Sequence, residues 1–135
     1  MNNLYIVDTH TLLWYLVDDA QLGQAAGQIL DAKDSRLLLP VIAVAESLFI
    51  LERRPMLYQL SISDVLSSVI ADSRITVVAL DQATVAKTLD CMVIPEMHDR
   101  QIVATALLAQ TDDNQVAILT RDENIQNCDL VQTIW

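Results

Sequence analysis

From end to end, this chain alternates short apolar runs with longer stretches whose apolar residues recur every three or four positions. Leu4-Tyr5-Ile6-Val7 reads as a buried strand, and Thr9 to Val17 as the helix that follows it. A second helix is expected over Leu22 to Ala32, despite Gly23 and Gly27. Arg36 to Leu39 reads as a strand closed by Pro40, and Val41 to Arg53 as a helix limited by Pro55. The clearest helical period joins Ile62, Val65, Leu66, Val69 and Ile70, with Ser61 as its cap. Ile75 to Leu80 is the third strand, and Asp81 caps a helix carrying Val85 and Leu89. Beyond a loop around Pro95, Asp99 opens a helix from Arg100 to Ala109, marked by Ile102, Val103, Ala106 and Leu107. Val116 to Leu119 is a fourth strand, Arg121 to Gln126 a short helical turn, and Leu130 to Gln132 a fifth strand at the edge. Such alternation, without a repeat or an interior linker, implies one α/β domain over residues 1–135. Its sheet is expected to be mostly parallel, with four or five strands and both faces covered.

Composition supplies the material for that core and removes several alternatives. Hydrophobic residues make up 53 % of the 135, with only two Gly and three Pro, so neither disorder nor a low-complexity chain is expected. No segment reaches the roughly 18 uninterrupted apolar residues of a membrane span. The longest apolar stretch, Leu37 to Leu51, is broken by Pro40, Glu46 and Ser47. Met1-Asn2-Asn3 carries no positive charge and leads into a strand, so no signal peptide is visible and a cytoplasmic location is expected. Cys91 and Cys128 make neither a disulfide framework nor a zinc site. The formal charge of −10, from eight Lys and Arg against eighteen Asp and Glu, opposes a protein that grips nucleic acid with a basic face. Either the chain avoids nucleic acid, or some of its acids are gathered to hold cations.

Four carboxylates decide between these. In open parallel sheets, ligands bind outside the carboxyl ends of the strands. Asp8 directly follows the first strand, although Asp before a helix is also a common N-cap. Glu46 is the most informative, because its helical neighbours Ile42, Ala43, Phe49 and Ile50 are all apolar. A carboxylate so placed faces the core or a cleft opening from it, and must be protonated, paired or bound to a cation. Asp99 would share the inward stripe of Ile102 and Val103 or serve as a cap. Asp122 lies three residues beyond Leu119, at the mouth of the fourth strand, and it too reads as a site residue or a cap. Acids brought together repel one another unless something positive sits between them. Mg²⁺ or Mn²⁺ suits such a set, since both are hard ions that prefer oxygen ligands, waters and substrate phosphate.

Other chemistries find less support. Gly23 and Gly27 form no phosphate-cradling loop, and no Gly-Lys-Ser/Thr follows them. Asp8-Thr9-His10 lacks the second Asp of a dehalogenase-like phosphatase. A receiver's acidic pair and late Lys are missing too. His10 and His98, without partner Cys, read as surface or supporting groups. Cys91 has no base beside it.

With these residues in view, the chain resembles PIN-domain proteins, especially toxins of the VapC type, along almost its whole length. The pieces are Ile6 to Trp14 (IVDTHTLLW), Val44-Ala45-Glu46-Ser47, Pro95 with Asp99 to Ala106 (DRQIVATA), and Leu119 to Ile125 (LTRDENI). Each is loose alone; four in order, each with its acid, are fairly specific. The resemblance implies a three-layer α/β/α sandwich and a Mg²⁺- or Mn²⁺-dependent endoribonuclease. In such proteins the acids matching Asp8, Glu46, Asp99 and Asp122 coordinate metal and activate water, and Thr9 and Thr120 match supporting hydroxyls. It also implies a homodimer and a small antitoxin that blocks the site. Arg100 and Arg121 would meet phosphate or an antitoxin carboxylate, or else are solvated surface arginines. Two other readings stay open: a catalytically weak interaction module, and a DNA-directed nuclease or phosphatase with the same metal chemistry.

Overall fold

The computed structural model describes residues 1–135. Its elements run β1 (Asn2–Val7), α1 (Thr9–Leu16), α2 (Gln24–Asp31), β2 (Leu37–Pro40), α3 (Val41–Arg53), α4 (Ile62–Ala71) and β3 (Ile75–Val78). These are followed by α5 (Gln82–Lys87), a 3-10 turn (Thr88–Cys91), α6 (Met97–Ala109), β4 (Asn114–Leu119), α7 (Glu123–Gln126) and β5 (Gln132–Ile134). All five strands are parallel, in the order β3-β2-β1-β4-β5. The sheet is therefore wholly parallel where the sequence implied mostly so.

The period of two in the strands divides the core. Val7, Leu37, Leu39 and Leu119 pack on one face with Leu12, Leu13, Ala26, Leu30, Ala43, Val44, Val65 and Val69 from α1 to α4. Leu4, Ile6, Val116 and Ile118 point to the other face, against Ile102, Val103 and Ala106 of α6, Ile125 of α7 and Ile94. The result is a three-layer α/β/α sandwich, as expected.

Local differences have physical causes. The helix expected from Leu22 starts at Gln24, because Gly23 takes extended dihedrals as the N-cap and lies against Trp135. The edge strand forms at Gln132–Ile134, later than Leu130, after Asp129 takes a left-handed conformation (φ 59°). Most consequential is α6. It starts at Met97, where the sequence suggested Asp99, because the Glu96 side chain caps it by accepting from Asp99 N–H at 2.8 Å. On α4 only Val65 and Val69 of the five periodic residues are buried, and Ile62, Leu66 and Ile70 stay exposed.

Strand order also positions the site. The chain moves outward on one side of β1 through β2 and β3, then crosses to the other side for β4. The gap beyond the carboxyl ends of β1 and β4 is therefore the topological switch point, where such sheets leave a crevice.

Candidate active site

Asp8 follows the last residue of β1 at that crevice, and it is only 7 % exposed. Its Oδ1 accepts from Thr11 N–H at 3.0 Å, so it is the N-cap of α1. Its Oδ2 accepts from the buried Thr120 hydroxyl across the sheet. The capping and site readings of Asp8 are thus compatible, since the cap uses one oxygen. Burial pushes its carboxyl above the usual range, and the bonds from Thr11 and Thr120 work against that rise.

Thr120 lies just past β4, where Thr11 Oγ1 donates to the Leu119 carbonyl at 2.8 Å and ties α1 to the strand end. The Thr120 hydroxyl also accepts from Asp122 N–H at 3.0 Å, linking Asp8 and Asp122 through one side chain. Asp122 caps the short α7, its Oδ1 accepting from Ile125 N–H at 3.1 Å.

Glu46 extends from α3 into the same crevice. Among its apolar neighbours, Ala43 is buried, Ile42 and Ile50 are half-buried, and Phe49 is exposed under the Arg53 guanidinium. Glu46 therefore stands at the border of the core, facing a cleft. Thr9 Oγ1 donates to its Oε1 at 3.0 Å, and His98 Nδ1 lies 3.4 Å from Oε2. Burial raises its carboxyl above the usual range, with the Thr9 bond opposing.

Asp99 sits in the first turn of α6. Glu96 takes the cap, so the capping explanation for Asp99 falls away. Its carboxyl is pushed up to about 7, first by burial and then by repulsion from Asp122, Glu96, Glu46 and Asp8.

The four acids proposed from sequence come together with Thr9 on one cleft of about 560 Å³, which His10, Trp14, Gln21, Glu96, Ile102 and Arg121 also line. Arg100 does not line it; its Nε donates to the Ile94 carbonyl instead. Glu96 is the acid that sequence reasoning missed. Its Oε2 caps α6 and its Oε1 lies 2.9 Å from His98 Nδ1, which places His98 between the carboxylates of α3 and of the α6 cap. Glu is not a favoured capping residue, so the chain gives little sign of this role.

No three His, Cys, Asp or Glu side chains close on a common point as a finished ligand set. The donor chemistry nevertheless fits a hard divalent cation. The cleft offers carboxylate oxygens from four acids, and on Asp99 burial and then the neighbouring carboxylates disfavour the charged form. Mg²⁺ in particular is bound through one or two carboxylates, with waters and phosphate completing its shell. A cation between these acids would offset the repulsion that adds to burial in raising Asp99.

Comparison with curated proteins gives no match. Comparison with protein families gives a match to the PIN domain over residues 5–130, a span that holds every acid of the cleft. With that match and the three-layer parallel fold, the chain belongs to the PIN-domain family, whose members are generally metal-dependent nucleases.

Proposed function

We propose that this chain is a metal-dependent endoribonuclease that hydrolyses RNA phosphodiester bonds, as the toxin of a VapC-type toxin–antitoxin pair. The observation that supports this reading most is the meeting of Asp8, Glu46, Asp99 and Asp122 on one open cleft, where burial first and the neighbouring acids second push Asp99 up to about 7. Asp8, Glu46 and Asp99 would hold Mg²⁺ or Mn²⁺, with Asp122 as a fourth ligand. The ion supplies charge to polarise a phosphate and to acidify a bound water. The chain's own groups do the rest. Thr120 holds Asp8 and Asp122 in register, and Thr9 orients Glu46. His98 and Glu96 keep the α6 turn beside Glu46, so that Asp99 faces the same space.

The test is cleavage of structured RNA by the purified chain with Mn²⁺, repeated with EDTA and with Asp8→Asn. Cleavage lost in both supports the reading; cleavage that survives both rejects it. Parallel assays on DNA and a phosphomonoester separate a ribonuclease from a DNA-directed enzyme or a phosphatase.

Partners belong to the same proposal. A homodimer is supported by the stripe Ile62, Leu66 and Ile70, an apolar side of α4 that the chain covers only in part and that leaves Ile70 open. A small antitoxin would close the cleft. No helix is long and apolar enough to cross a membrane, and the proposed place of action is the cytoplasm. One observation favours a second reading, an interaction module of low activity: the charge of −10 leaves little basic surface for RNA. Calorimetric titration with Mn²⁺ separates them, since a pure interaction module has no use for metal at these acids.

A further inference from the structure

One wall of the cleft is not acidic, and the metal chemistry leaves it unused. Trp14, on α1, is nearly buried and meets Trp135 edge-on, with ring centroids 5.7 Å apart. The exposed His10 ring lies 5.4 Å from Trp14 at 42°. The Arg121 guanidinium carbon stands 5.6 Å from the centre of the Trp14 ring, within the range of a cation–π contact. Trp14 Nε1 is buried without a hydrogen-bond partner, so what the indole contributes here comes through its faces.

Arg121 is singular among the eight cations. Arg74 is held by Asp72 and by the Leu30 and Ala32 carbonyls, Lys87 by Asp90, Arg53 by Phe49, and Arg100 by Ile94. Lys33 and Arg36 lie with Arg74 around a separate cavity, next to the start of β2, and Arg54 is the exposed residue that ends α3. Only Arg121 lines the acidic cleft, and although Asp122 follows it in sequence it forms no ion pair with any carboxylate. A guanidinium held over an indole by its charge alone keeps its N–H groups free of other partners, which suits bidentate contact with phosphate oxygens.

We propose that Arg121, positioned by Trp14, is the phosphate grip of this acidic protein. It takes the phosphodiester next to the one surrounded by the carboxylates, in an unpaired stretch of the RNA. This rests on the nuclease reading above and adds the feature that reading lacks, a positive contact with the substrate strand. A single cation accounts for about one phosphate contact, so the salt dependence of RNA binding is shallow, and about 0.7 of its log–log slope belongs to Arg121.

The experiment has two readouts across a KCl series. Binding is followed by fluorescence anisotropy of a labelled single-stranded oligoribonucleotide in an Asp8→Asn background, which removes cleavage. KM and kcat are measured in the otherwise native chain. Arg121→Gln, at an exposed position that does not endanger folding, is expected to lower the binding slope by about 0.7. It should raise KM severalfold, with kcat within about twofold and Mn²⁺ affinity unchanged. Arg121→Lys should keep the slope, because the charge remains, yet still raise KM, because the fork is lost. Trp14→Leu should raise KM on its own and add nothing in the Arg121→Gln background, a coupling that general damage to the core would not produce. Unchanged KM and slope in Arg121→Gln would overturn the proposal and leave the guanidinium for a protein partner's carboxylate. RNA bound with the Arg121-dependent slope but never cleaved retracts the nuclease reading alone. RNA neither bound nor cleaved overturns both.

Discussion

Asp99 and Thr120 show how single residues set the behaviour of the cleft. The Asp99 carboxyl titrates at about 7 in the folded chain against an ordinary value of 3.8. Between those values the folded chain keeps a proton that the unfolded chain has released. The contribution of Asp99 to metal-free stability is therefore greatest below pH 4, and it is lost as pH rises through 7. Thermal melts should show wild type losing more Tm between pH 5 and pH 8 than Asp99→Asn does. Saturating Mn²⁺ should raise the wild-type Tm more at pH 8 than at pH 5, because the ion and the proton compete for the same oxygens. Equal pH dependence in the two chains would refute the placement of Asp99 among its like charges. Thr120 acts by a different route, donating to Asp8 and accepting from Asp122 N–H while fully buried. Thr120→Val keeps the shape and removes both bonds, at a cost of about 1–3 kcal/mol for the groups left unpaired. Denaturant unfolding would measure that loss. With one opposing bond gone, Asp8 rises further, so the acid limb of the pH–rate profile should move to higher pH.

At the scale of elements, the difference between what the sequence disclosed and what it hid is instructive. β1, β2, β4 and the Glu46 helix were legible from their apolar runs and periods, whereas β3 stops at Val78 short of Leu80 and β5 shares only Gln132 with the expected Leu130 to Gln132. Asp8 and Asp122 were legible as residues just past strands, and their capping roles turned out to coexist with their place in the cleft. The start of α6 was not legible, since its cap is a Glu two residues before His98, outside the usual capping set. Missing that turn hid Glu96 and the link from His98 to Glu46, both of which depend on contacts between α3 and α6. The wall formed by Trp14 and Arg121 was hidden for the same reason: α1 and the end of β4 meet only in space. The start of α2 adds a test of packing. A Cβ on Gly23 would lie 2.5 Å from the Trp135 backbone carbon and 2.7 Å from its ring. Gly23→Ala must therefore displace Trp135, which packs on Trp14, with an expected loss of about 1–3 kcal/mol. Near-ultraviolet circular dichroism should report the altered pair of indoles, and an unchanged spectrum and Tm would contradict the contact.

For the whole molecule, fold and charge act together. A parallel sheet that switches direction at β1 draws Asp8 from β1, Glu46 from α3, Asp99 from α6 and Asp122 from beyond β4 to one place. The acidic balance that argued against nucleic acid is thus partly a local concentration of carboxylate. The opposite surface problem is apolar: Ile70 is 83 % exposed, in line with Ile62 and Leu66. Analytical ultracentrifugation over a dilution series should find a dimer in wild type that Ile70→Asp dissociates; a wild-type monomer at all concentrations would contradict the proposed homodimer. The central claim, that four separated segments make one cation site, has a more direct test. Isothermal titration of Mn²⁺ into the wild-type, Asp8→Asn and Asp99→Asn chains should give saturable binding in wild type that either substitution abolishes or weakens at least tenfold. Wild-type protein that binds no Mn²⁺, or binding left equal in all three chains, would contradict it.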